Sequence, residues 1–106
     1  MNTLKAIISV TASATGSAKL ARLTELVVNQ VSHWSEARWG LLANALYDIV
    51  QGIAGPEHPV PRLGAIALPD QLRVVVAELL RDGDETRINS ALDHLAFFRG
   101  TLRASQ

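Results

Sequence analysis

All four prolines of this chain, Pro56, Pro59, Pro61 and Pro69, fall within one stretch, residues 56–69. Proline lacks the amide that a helix interior or a central strand must donate, and it pushes the preceding residue out of the helical region. The chain is therefore divided in advance. A stiffened connection lies in the middle, and the stretches on either side are left to form long regular elements.

On both sides of the connection, apolar residues recur at intervals of three and four, the period of a helix with one buried face. Leu20, Leu23, Val27, Val31 and Trp34 form a first stripe. Trp39, Leu42, Leu46, Ile49 and Ile53 form a second. Ser35 is placed to cap this helix, Glu36 suits its first turn, and Gly52, Gly55 and Pro56 end it. The third stripe, Leu72, Val75, Val76, Leu79 and Leu80, begins near Pro69 or Asp70 and stops at Gly83. Asp84 is placed to cap a fourth helix, with Ile88, Ala91, Leu92, Leu95 and Leu102 on one face and Gly100 fraying its end. Asp82-Gly83-Asp84 reads as a tight antiparallel turn.

These stripes predict an all-α fold, a small bundle of four to five helices in one domain. Short links favour antiparallel neighbours. The expected arrangement is two antiparallel hairpins, residues 17–55 and 70–103, joined by the 56–69 connection and preceded by an N-terminal segment, residues 1–16. A length of 106 residues suits one domain. Aromatic residues make up only 5%, so the core must be aliphatic, as in packed helices.

The N-terminal segment carries a different pattern. Leu4, Ala6, Ile8, Val10 and Ala12 alternate with Lys5, Ile7, Ser9, Thr11 and Ser13, which predicts a short strand over residues 4–12. A lone strand cannot satisfy its own backbone, so it would be exchanged with a second subunit. A helix is the other reading, since Leu4, Ile7, Ile8 and Thr11 also share a helical face. A strand followed by two helices, with Ser35-Glu36 opening the second, resembles the order of ribbon–helix–helix DNA regulators. That resemblance implies a dimer laying a β-ribbon in the major groove. Lys5 is the one long base-reading side chain such a ribbon would present.

Composition narrows function mainly by exclusion. Ten basic residues balance ten acidic ones, so the surplus that drives general phosphate attraction is missing and nucleic acid is not the favoured partner. With no cysteine there is no thiolate nucleophile and no Cys-ligated zinc. His33, His58 and His94 have no i, i+4 partner for a helical metal site, and no G-x-S-x-G elbow surrounds any serine. The run Thr11–Ser17 before a helix could offer amides to an anion, but it has one glycine and no G-K-[ST]. No metal or other cofactor is expected. No apolar run reaches the ~18 residues of a membrane span, so no membrane partner is expected and the cytoplasm is the expected compartment. Residues 1–18 resemble a secretory signal only loosely, because the apolar stretch Ala6–Val10 is too short.

The apolar residues that miss the stripes carry the remaining signal. Phe97 lies opposite Ile88 on its helix, Val74 points away from Leu72 and Leu79, and Leu26 and Leu41 sit beside their stripes. If these surfaces coincide, they form a patch larger than a soluble monomer usually exposes. The expected function is accordingly a non-enzymatic protein–protein interaction, adaptor or regulatory module. It would bind a protein partner or itself through Phe97, Val74, Leu26 and Leu41. A dimeric DNA-binding transcriptional regulator using the N-terminal ribbon is the alternative.

Overall fold

A computed structural model describes residues 2–104, with side chains for residues 16–104. Every regular element among the described residues is helical: α1 (Asn2–Val31), α2 (Glu36–Trp39), α3 (Leu42–Ala54), α4 (Leu68–Asp82) and α5 (Glu85–Ala104), with a 3-10 turn, Ala65–Ala67, leading into α4.

The backbone of residues 4–12 is helix, not the expected strand. Nothing between Asn2 and Val31 forces the chain out of the helical region, and the backbone continues unbroken into the stretch that carries the first stripe. The same continuity removes the loop at Thr11–Ser17, which lies in the helix interior. A β-ribbon therefore has no strand to draw on among the described residues.

The second stripe is broken where the sequence shows it as continuous. Ser35 does cap, its hydroxyl accepting from the Arg38 amide at 3.3 Å. After one turn, however, Gly40 takes φ +45°, a conformation side-chain-bearing residues avoid. The bend buries Trp39, whose ring meets Trp34 edge-on at 5.3 Å, while Arg38 stacks over Trp34 at 5.0 Å. It also leaves Leu41 86% exposed between the two helices.

The other boundaries follow local chemistry. Pro69 occupies the first turn of α4, where its missing amide is no loss. Gly83 closes α4 in the left-handed region at φ +74°. Asp84 caps α5 by accepting from the Arg87 amide at 3.2 Å. Gly100 does not fray α5, which runs on to Ala104.

Packing is crosswise. α1 lies against both α4 and α5, α3 lies against the same two, and α4 and α5 make the smaller contact with each other. Short links bring helix ends together, but the stripes of α4 and α5 are shared between two outer helices, so the expected hairpins are not the main packing units. Glu25 of α1 pairs with Arg73 of α4 at 2.8 Å, and Gly16 sits against Ile88 and Asn89 at the start of α5. α1 therefore runs antiparallel to α4 and parallel to α5. Leu20, Val27, Val28, Leu46, Val50, Leu72, Leu95, Phe98 and Leu102 fill the centre of the core. Thr24, also buried, satisfies its hydroxyl on the Leu20 carbonyl at 2.8 Å.

Candidate interaction surface

The connection after α3 holds no helix until residue 65, so its polar backbone groups need partners other than their own neighbours. Side chains on the flanking helices supply them. Gln51 donates through Nε2 to the Gly55 and His58 carbonyls, at 3.0 and 3.1 Å, and accepts from the Val60 amide at 2.7 Å. The Tyr47 hydroxyl donates to the Val60 carbonyl at 2.5 Å, and Gln71 of α4 donates to the Pro61 carbonyl at 2.9 Å. Arg62 stacks over the Tyr47 ring at 4.0 Å. Val60 is thereby drawn into the core, while Pro59, Pro61 and Leu63 stay outside. A stretch that the prolines stiffen is thus also tied down on both sides.

Between this strap and α4 lies an open trough of about 610 Å³. Val74 and Val75 form the α4 wall, Pro59, Val60, Pro61 and Leu63 the strap wall, and Ala54 and Ala67 close the apolar lining. The rim is polar. Asp70 and Glu78 stand four residues to either side of Val74 on α4, and His58 lies across from them. Val74 is 56% exposed and Leu63 66% exposed. This is therefore a concave apolar surface flanked on one side by two carboxylates.

At its α5 end the trough meets a more polar hollow of about 420 Å³ that shares Ala54, His58, Val75 and Glu78 with it. Arg87 organises this end. One guanidinium nitrogen donates to the Ile53 carbonyl at 2.7 Å, satisfying an acceptor at the end of α3, and another reaches Asp82 at 3.3 Å. Arg87 is thus structural, holding α3 to the α4–α5 turn.

The four residues singled out from the sequence lie at separate places along the fold. Val74 lines the trough. Leu26, 36% exposed, lies on α1, and Leu41 projects at the break after α2. Phe97 is 78% exposed on α5 and lines neither the trough nor the polar hollow. Its neighbour Phe98 is the buried one. Two exposed residues of the connection, Leu63 and Ile66, escaped a reading that compared only helical stripes. Leu63 had one signal, an aliphatic residue among prolines with no stripe to join. Phe98, three residues after Leu95, had a clearer one.

The Glu25 carboxyl is held below its ordinary range, chiefly by the hydrogen bonds from Arg73. This pair is exposed, and it registers α1 on α4 rather than marking a reactive centre. Among the described residues no three of His, Cys, Asp and Glu gather as metal ligands would, and no helix is long and apolar enough to cross a membrane. Comparison with known proteins finds no match to this chain among family models, curated proteins or solved structures.

Proposed function

We propose that this chain is a non-enzymatic interaction module whose working surface is the trough between α4 and the proline-bearing strap. One observation carries the reading: a concave apolar surface whose far wall is pinned by Gln51, Tyr47 and Gln71. Preorganisation matters because a wall that must be ordered on binding would spend interaction energy on its own entropy. The occupant is a segment of a partner protein. Val74, Pro59, Pro61 and Leu63 suit an apolar side chain, and Asp70 and Glu78 suit Lys or Arg placed before and after it.

Selection from a random peptide library on the immobilised protein tests this. The expected consensus is an apolar residue flanked by basic ones, and Val74→Glu should weaken the selected peptides by at least ~10-fold. Peptides indifferent to Val74→Glu, or a library that yields no binder, would remove the trough as the working surface.

A further inference from the structure

Beside the trough, the outer surfaces of α1 and α4 form a shallow apolar valley lined by Ala21, Thr24, Val76, Ala77 and Leu80, with the Glu25–Arg73 pair at one end. Ala21 of α1 and Ala77 of α4 are exposed there, so nothing bulky on those two positions prevents another helix from approaching closely. The two ridges carry opposite charge beyond that pair. α1 exposes Lys19 and Arg22, with Leu26 one turn further on, and α4 exposes Asp70, Glu78 and Asp82 against the one cation Arg81, with Val74 one turn before Glu78.

From this complementarity we infer that the α1–α4 face takes a second copy of the chain, α1 of each copy lying on α4 of the other. The inference rests on reading the α4 rim of the trough as a docking surface, and it assigns a second copy to the face beside that rim. Antiparallel neighbours make a twofold arrangement natural. An axis running along the valley exchanges α1 for α4 without changing the height of any residue, so one contact is made twice. The Glu25–Arg73 pair sets those heights. Counting in opposite directions from it, Glu78 stands between the levels of Lys19 and Arg22 of the second copy. Val74 stands within about a turn of Leu26. Each Glu78 then faces two cations across the interface, and Leu26 closes over Val74 at the edge of the trough.

Charge reversal and sedimentation velocity test the arrangement. The wild-type chain should pass from monomer to dimer as its concentration approaches ~1 mM or less. Arg22→Glu and Glu78→Lys should each weaken association at least ~10-fold, because each sets like charges together twice per dimer. An equimolar mixture of the two variants should associate more tightly than either variant alone, since one contact of the mixed dimer is that of the wild type and in the other the two substituted positions carry opposite charge beside Lys19. Both residues are exposed, so far-UV circular dichroism should remain that of the wild type. A wild-type chain that stays monomeric overturns the inference, as do variants that associate unchanged or a mixture that associates no more tightly than either variant alone. Association lost in Phe97→Ser but kept in Arg22→Glu would move the interface to α5. A monomer that still selects peptides dependent on Val74 loses the dimer and keeps the trough; a dimer that selects none does the reverse.

Discussion

The strap side of the molecule and the outer face of α5 both expose large apolar side chains, but in different settings. Around Val74 and Leu63 the surface is concave, with a facing wall held by hydrogen bonds from three side chains. Phe97 is the more exposed and has the larger ring, yet it stands on a helix with neither groove reaching it. Single exposed apolar residues are ordinary on soluble proteins. Exposure alone is therefore a weak guide to a working surface, and a second wall carries more information than the size of the side chain.

Adjacent residues on α5 give the largest test of that contrast. Phe98 is fully enclosed, so Phe98→Ala should cost ~3–5 kcal/mol in chemical denaturation. A loss below ~1 kcal/mol would show that the α5 core face is misassigned. On the strap side, Gln51→Ala removes the partners of two carbonyls and one amide, and should cost ~1–3 kcal/mol. The Val60 amide, which donates to Gln51, should then exchange its hydrogen markedly faster. Unchanged protection there would mean that the strap is held by packing alone, and the comparison would lose its rigid wall.

Phe97→Ser should move the denaturation midpoint by the equivalent of no more than ~0.5 kcal/mol, because the ring covers little in the folded chain. A larger loss would place Phe97 in contact with the core and dissolve the contrast with Phe98. The smallest effect concerns pH. Because the Glu25 pKa is lowered by Arg73, the pair contributes stability above the usual carboxylate range and loses it as pH falls through the lowered value. Glu25→Gln should lower neutral-pH stability slightly and flatten that part of the acid limb of the stability profile by the same small amount. An identical acid limb in the variant would show that the pair has no energetic role.

Much of the helix content was legible in the residues themselves. Intervals of three and four marked α1, α3, α4 and α5, while Ser35, Pro69, Gly83 and Asp84 marked boundaries by chemistry that acts within one turn. The break at Gly40 was not legible, because the stripe through Trp39 and Leu42 keeps its phase across it and only the burial of Trp39 makes the bend worthwhile. The N-terminal pattern suited two periods, and continuity with the helix behind it decided between them.

The trough was still less accessible to sequence reasoning. Val74 could be marked as lying off its stripe, but its significance depends on Pro59, Pro61 and Leu63, which lie 11–15 positions earlier in the chain. What the sequence determined by itself was local: where helices can form, where they must stop, and that the middle of the chain is stiff. Which helices pack together was decided by tertiary structure, as were the path of the strap and the identity of the enclosed phenylalanine. Helical period and capping act over one or two turns, whereas a wall and its opposite wall come together only when distant segments share a core.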